Sequence, residues 1–295
     1  MTACPDLQVA IASCATLPEP DPDQAPLSDA LEAAGIRSQV LPWEADAPWP
    51  EAPLTVLRST WNYAHHRDAF LTWAAAVDRI SRLHNPLDIV RWNTHKGYLL
   101  DLRRRGVPVT PTALVPRGAP AGASLGELLD REGWTRLVIK PAVSAGSWRT
   151  HRFEAGDPAA TAHLAHLLAD GDALVQPYLS SVEGHGERAL VLIDGELTHA
   201  VRKTPRFQNE DEHVSEQVPV SPAEAELAAR ALHDVSGTLL YARVDMAPGP
   251  DGQPVVMELE LTEPSLFLCQ CPRALERLVQ GVGRRLDQAH FSVTE

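Results

Sequence analysis

The stretch from Tyr241 to Thr262 carries the densest chemistry in the chain. Asp251-Gly252 separates two strand-like runs, the strongest short-range signal for a β-hairpin. A two-residue turn there pairs Pro250 with Gln253. Counting back, it sets Asp245 opposite Glu258 and Arg243 opposite Glu260. Strand alternation puts these four on one face. Val244, Met246, Met257, Leu259 and Leu261 fall on the other, a core face. Like charges opposed across a strand pair destabilise it, and a divalent cation relieves the repulsion. Mg²⁺ is hard, takes oxygen ligands and shares its shell with phosphate. The competing reading is a solvated polar face on which Arg243 neutralises Glu260. Such a face more often mixes in Lys, Thr and Ser.

Two lysines and one strand end extend this chemistry. Lys140 closes the apolar run Leu137-Val138-Ile139 and precedes Pro141 and the small residues Ala142 to Ser147. Small side chains let backbone N–H groups approach phosphate oxygens, and a strand-end lysine adds a point charge. No Gly-Lys-Ser/Thr occurs in this loop, so it is not a Walker loop. Lys96 opens a helix expected over Thr94 to Arg105, where it is equally compatible with a solvated lysine. Ala173 to Leu179 reads as a strand running into a connection, which offers backbone groups to a base edge or serves as an ordinary linker.

These groups need a scaffold, and the chain is long enough for one. Its 295 residues suit two or three domains. The hydrophobic fraction of 44% and charged fraction of 22% are those of a folded globular protein. A net charge of −13 argues against a diffuse nucleic-acid binder. No apolar run is long enough for a membrane span, and the start lacks a signal-peptide pattern. The expectation is therefore a cytoplasmic protein with neither nucleic acid nor membrane as partner. A homodimer is compatible with the sequence. Four cysteines in such a chain are no disulfide framework, and Cys269-Gln270-Cys271 lacks a second pair to make a zinc site.

Strand and helix signals alternate up to Arg82, which implies a parallel sheet. Its third strand, Leu54 to Leu57, ends in Arg58-Ser59-Thr60-Trp61-Asn62-Tyr63, where such sheets bind ligands. His65 and His66 adjoin a helix start and read as solvated, with substrate contact left open by their closeness to Trp61. Residues 1–92 form this first unit, 93–180 a second with the small-residue loop, and 181–295 a third with the hairpin. Thr204 to Ser221 is polar and acidic and reads as a mobile surface loop.

The ordered set Lys96, Gly106-Val107-Pro108, Lys140-Pro141, Gln176-Pro177-Tyr178-Leu179, Asp245 and Glu258-Leu259-Glu260 resembles the ATP-grasp enzymes of the glutathione-synthetase and D-alanine–D-alanine-ligase branch. A narrower resemblance, to the O-ureidoserine cyclo-ligases of the D-cycloserine synthetase type, rests on four stretches. They are Leu57 to Tyr63, Trp92 to Leu99, His199 to Lys203 and Glu258 to Pro264. The resemblance implies an α/β, ATP-grasp fold of three α/β subdomains with nucleotide between the central and C-terminal ones. It implies that Lys96 and Lys140 grip the phosphates of ATP and that Ser144, Ala145, Gly146 and Ser147 form a lid. Gln176 and the backbone of Tyr178 and Leu179 would meet adenine, with Glu183 or Glu187 on the ribose. Arg188 or Lys203 would reach the γ-phosphate, and Asp245, Glu258 and Glu260 would bind Mg²⁺. The wider superfamily often has Asn where Glu260 stands, and a carboxylate there makes the metal site more anionic.

The activity this implies is ATP-dependent ligation of a carboxylate to an amine through an acyl phosphate. The substrate expected is a small amino-acid-like molecule whose carboxylate Arg243 holds and which Arg58 reaches from the first unit. In the narrower version the nitrogen belongs to the same molecule and a ring closes, as in antibiotic biosynthesis. The alternatives are a ligase joining two amino-acid-like molecules and a nucleotide-binding module without catalysis. No Ser-His-Asp or Cys-His set competes with these readings.

Overall fold

The computed structural model describes residues 6–45, 49–204, 213–235 and 239–291. The chain starts with β1 (Val9–Ser13), α1 (Gln24–Ala33), β2 (Ser38–Pro42), β3 (Leu54–Leu57), α2 (Arg67–Val77) and β4 (Arg82–His84). These strands form a parallel sheet in the order β2-β1-β3-β4. Every residue of β1 and β3 is buried, as expected of central parallel strands covered on both faces. Between β3 and α2, Trp61–His65 makes one short 3₁₀ turn.

Two helices follow, α3 (Leu87–Asn93) and α4 (Tyr98–Arg104). The single helix expected over Thr94 to Arg105 is thus replaced by a break at residues 94–97, and Lys96 lies in it. The backbone N–H of Lys96 donates to the carbonyl of Ala142 at 2.7 Å, which ties the break to the end of a later strand.

The second sheet comprises β5 (Ala113–Val115), β6 (Arg136–Pro141), β7 (His151–Glu154) and β8 (Ala173–Pro177), with α5 (Ala121–Glu132) and α6 (Pro158–Asp170) between its strands. It is antiparallel, in the order β5-β8-β6-β7. Leu125, Leu128, Leu164 and Leu168 from the helices pack with Leu137, Ile139 and Val175 in one core. The other face of this sheet is left to line a cavity.

After α7 (Ser181–His185) come β9 (Glu187–Ile193), β10 (Glu196–Lys203), α8 (Pro222–Leu232), β11 (Tyr241–Pro248), β12 (Pro254–Glu260) and α9 (Pro272–Phe291). The third sheet is antiparallel, ordered β10-β9-β11-β12. Strand alternation divides β9 between two cores. Ala189, Val191 and Ile193 pack with β1, β3 and α9, while Leu190 packs with α4 and α8. Most of the loop expected at Thr204 to Ser221 lies outside the described residues.

The open edge of β12 pairs with the backbone of residues 108–110 at Val256 and is closed by side chains from Leu259 onward. Asn93 accepts from the N–H of Leu261 at 2.7 Å and donates to the carbonyl of Leu259 at 2.7 Å. Asn85 donates to the carbonyl of Leu261 at 2.6 Å, and Tyr98 accepts from the N–H of Leu259 at 3.0 Å. Unpaired strand edges need such partners when buried. The segment joining the first two sheets therefore fixes the strand that carries Glu258 and Glu260.

Candidate active site

The hairpin register is the one the turn dictates where the chemistry lies. Asp245 opposes Glu258, and Arg243 opposes Glu260. Nearer the turn the pairing shifts by one, so that Met246 faces Val256 and Pro248 faces Pro254. The turn is wider than expected, with the N–H of Gly249 donating to the carbonyl of Gln253. A bulge at Met257 absorbs the difference. Val256 consequently takes the place in the core that alternation assigned to Met257, and Met257 lines the cavity.

That cavity has a volume of about 470 Å³ and is lined by the second and third sheets, the break before α4 and the 3₁₀ turn that follows β3. The hairpin contributes Arg243, Asp245, Glu258 and Glu260, and Tyr98 at the start of α4 and the 3₁₀ turn line it too. Lys96, Lys140 and Lys203 enter from the break before α4, from β6 and from β10. Each carboxylate is paired. Arg243 grips Asp245 with a fork, Nε to Oδ1 and Nη2 to Oδ2, both at 2.9 Å, and also pairs with Glu260. Lys203 Nζ lies 2.6 Å from Asp245 and 3.3 Å from Glu187. Glu258 takes Lys96 on one oxygen and has Lys140 3.9 Å from the other.

The balance of burial and pairing differs among these acids. Burial raises the Asp245 carboxyl, but Arg243 and Lys203 outweigh it and hold it at about 2. Burial likewise opposes ionisation of Glu258, and Lys96 and Lys140 win, so its pKa is lowered. At Glu260 burial prevails over Arg243, helped by Asp245 and Glu258, and pushes the carboxyl up to about 7. Glu263 is raised to about 8 by burial and then by Glu260. Burial also lowers the Lys140 ammonium, against the pull of Glu258.

An all-oxygen donor set of this kind suits Mg²⁺. Among the described residues, no three His, Cys, Asp or Glu side chains already form a metal cage. The cations of the protein meanwhile neutralise the acids.

Of the other expected residues, Ser144, Ala145, Gly146, Ser147, Gln176, Tyr178, Leu179 and Glu187 all line the cavity. Three do not. Arg58 is buried elsewhere, donating to the carbonyl of Pro264 at 2.9 Å and to Asp23 at 3.3 Å, with its guanidinium over the ring of Tyr241. Asp23 also accepts from the N–H groups of Leu266 and Leu268. Arg58 thus braces the contact between the first sheet and the 264–268 loop and does not line the cavity. Arg188 is spent on Glu224 at 2.8 Å and on the carbonyl of Pro219. Its place at the strand start turns it toward α8, and of the two cations expected at the γ-phosphate it is Lys203 that lines the cavity. Glu183 pairs with Arg136 and Arg152 on the surface, which leaves Glu187 as the acid beside the strand that lines the wall.

The remaining lining residues were expected only through the ligand-binding strand end at Arg58 to Tyr63 and the open substrate contact of His65, or carried no expected role. Trp61, Asn62, Tyr63 and His65 come from the 3₁₀ turn, and Asn93, Thr110, Trp148 and Glu263 from later segments. The Trp148 ring meets that of His65 edge-on, with centroids 4.6 Å apart. Glu263 sits two residues beyond the core run that ends at Leu261, so the run Glu258 to Pro264 already held its signal.

A family model of the N-terminal domain of D-cycloserine synthetase DcsG matches residues 9–85. The cycloserine biosynthesis protein DcsG of Streptomyces lavendulae is 34% identical over 283 residues, covering 90% of this chain and 94% of that protein. The chain belongs to the DcsG family of ATP-grasp ligases. The crystal structure of D-cycloserine synthetase DcsG matches this DcsG-family protein with a TM-score of 0.87 at 33% identity, over 94% of this chain and 99% of that one. The fold extends to D-alanine–D-alanine ligase from Bacillus anthracis complexed with ATP, with a TM-score of 0.67 at 12% identity, over 97% and 99%. It extends also to the ATP-grasp ligase PsnB with minimal precursor, Mg and ADP, at 0.63 and 18%, over 96% and 99%. The DcsG-family chain is thus an ATP-grasp enzyme of the ligase class that forms a C–N bond. Among its described residues no helix is long and apolar enough to cross a membrane.

Proposed function

We propose that this enzyme uses ATP and Mg²⁺ to activate the carboxylate of a small amino-acid-like substrate, which then closes on its own nitrogen as in D-cycloserine formation. The observation that carries the reading is the single cavity in which three lysines, Arg243 and three acids of the hairpin interlock beside a small-residue loop. A carboxylate oxygen of the substrate attacks the γ-phosphorus and ADP departs. The nitrogen then attacks the acyl carbon, and phosphate leaves with one oxygen of the former carboxylate.

Lys96 and Lys140 leave Glu258 for the phosphates, and Lys203 serves the γ-phosphate. Asp245, Glu258 and Glu260 hold Mg²⁺, which supplies charge neutralisation on the phosphoryl oxygens. Arg243 releases Glu260 to receive the substrate carboxylate, because its planar fork donates two parallel hydrogen bonds. Glu187 takes the ribose. The loop Ser144–Ser147 excludes water, which would hydrolyse the acyl phosphate. The N-terminal unit is residues 1–92, the central one 93–180 and the C-terminal one 181–295, with the reaction at their meeting. The first supplies the aromatic side of the substrate pocket through Trp61 and Tyr63.

The test is incubation with ATP, Mg²⁺ and a panel of amino-acid-like carboxylates carrying a second nitrogen. ADP release should require one of them, and mass analysis should find a product built from one substrate molecule. A product containing two would establish the intermolecular ligase instead.

A further inference from the structure

We infer that Thr112 is a positioning residue that sets the hydrogen-bonding sense of Gln176, and through it the preference for a purine bearing a 6-amino group. The inference rests on the ATP reading above and concerns how the base is told from its 6-keto analogue.

Thr110 anchors the network. Its backbone N–H donates to the carbonyl of Val256 at 2.8 Å, and the N–H of Val256 donates to the carbonyl of Pro108 at 3.0 Å. Val109 and Val256 form a parallel bridge. Residues 108–112 are thus clamped to the hairpin just before they enter β5. The carbonyl of Thr110 points its lone pair at the hydroxyl of Thr112, which donates to it at 2.7 Å. A hydroxyl has one proton, and that proton is committed. The Thr112 oxygen can therefore only accept.

Gln176 on β8 contacts that oxygen at 2.9 Å. A partner that only accepts requires the NH₂ end of the amide, so the network fixes an assignment that shape alone leaves open. Gln176, Thr112 and Thr110 are all buried, which makes the wrong amide orientation costly, since two acceptors would then face each other. With the NH₂ end tied to Thr112, the carbonyl end remains. Among the described residues no donor reaches it, and Gln176 lines the cavity. A fixed acceptor in the wall beside the 177–179 backbone matches an exocyclic amino group and repels a keto oxygen. Thr110 lines the same wall, and its own hydroxyl is buried without a partner among the described residues.

The relay makes a claim that a merely structural threonine would not. Thr112→Val keeps the branched shape and removes the accepting oxygen, so the Gln176 amide becomes free to turn over. Thr112→Ser keeps the oxygen. Calorimetric titration of the full-length protein with Mg-ATP and Mg-ITP gives the ratio of dissociation constants for each variant. Wild type and Thr112→Ser should both favour ATP. In Thr112→Val the ratio should fall by about tenfold, the worth of one neutral hydrogen bond with the unpaired-amide penalty. The loss should come largely from tighter ITP, and KM for the amino-acid substrate should not move. An unchanged ratio in Thr112→Val, with ATP favoured by wild type, overturns the relay alone. A ratio that falls equally in Thr112→Ser also overturns it, because packing and not the hydroxyl would then be responsible. Wild type that binds neither nucleotide overturns the ATP reading and the relay with it.

Discussion

The wall of the cavity contributed by the two antiparallel sheets and the wall contributed by the 3₁₀ turn after β3 obey different rules. On the first, every charged group is interlocked: Asp245 with Arg243 and Lys203, Glu258 with Lys96 and Lys140, Glu260 with Arg243. On the second, Trp61, Asn62 and Tyr63 present rings and an amide on one 3₁₀ turn, and the arginine of the same segment is withdrawn to Asp23. Strands place side chains by alternation, so their chemistry follows from pairing. A turn places side chains by its own geometry and by what packs beneath it. In the proposed reaction the first wall handles phosphoryl transfer and the second shapes the substrate.

The contrast is sharpest at Glu258. Replacing it with Gln should lower kcat by about 10²- to 10³-fold, the scale of one lost electrostatic group at a reacting centre, while circular dichroism shows a retained fold. The repulsion between Asp245 and Glu258 alone would make this variant more stable without metal. The two lysines reverse that expectation, because Lys96 and the buried Lys140 would lose their counter-charge. The nucleotide-free variant should melt below wild type, and an increase in melting temperature would show that the pairing does not hold in solution.

The two arginines break or uphold the comparison next. Arg243→Lys loses the fork and should raise KM for the amino-acid substrate or lower kcat by about tenfold, with KM for ATP nearly constant. Arg58→Lys should instead lower the melting temperature and leave both KM values near wild type. Steady-state kinetics that place the KM effect on Arg58 would return it to the substrate pocket.

A smaller effect concerns the joint between the walls. Trp148→Ala removes the edge contact with His65 and should let water reach the activated intermediate. ADP released per molecule of product should then rise severalfold while ATP consumption persists. A ratio equal to that of wild type would mean that the contact plays no part in enclosing the reaction.

The smallest is a pH effect on the ligand-free protein. Glu260 and Glu263 have folded pKa values of about 7 and about 8, raised from 4.5 by burial first and by neighbouring acids. A raised carboxyl stabilises the fold fully below its unfolded value, and that contribution is lost as pH rises through the folded value. The melting temperature should therefore decline by a few degrees between pH 5 and pH 8. Asp245, held at about 2, acts oppositely, and its contribution is lost only on acidification below 3.8. Glu260→Gln should flatten the decline, as thermal scans across that range would reveal.

What the sequence disclosed follows the same division. The Asp251-Gly252 turn and strand alternation placed Arg243, Asp245, Glu258 and Glu260 together, even though the turn is wider than two residues. The bulge at Met257 compensated, and no pattern of residue types announces a bulge. Lys140 was legible as a strand end. Lys96 was legible only as a lysine, since the break that carries it depends on a bond to Ala142 far along the chain. Arg58 and Arg188 misled for one reason. An arginine has the right charge for an anion wherever it stands, but the partners that claim these two, Asp23 and Glu224, are distant in sequence. Thr110 and Thr112 carry no charge and gave no sign of their role before the segment was seen clamped to the hairpin.

In the proposed reaction the substrate carboxylate is phosphorylated before the C–N bond forms. The most direct test of this order uses a substrate whose carboxylate carries heavy oxygen, turned over with ordinary ATP in ordinary water, with mass analysis of the inorganic phosphate. Each phosphate released in productive turnover should carry one heavy oxygen from the carboxylate. Product formed with phosphate wholly free of the label would contradict this order.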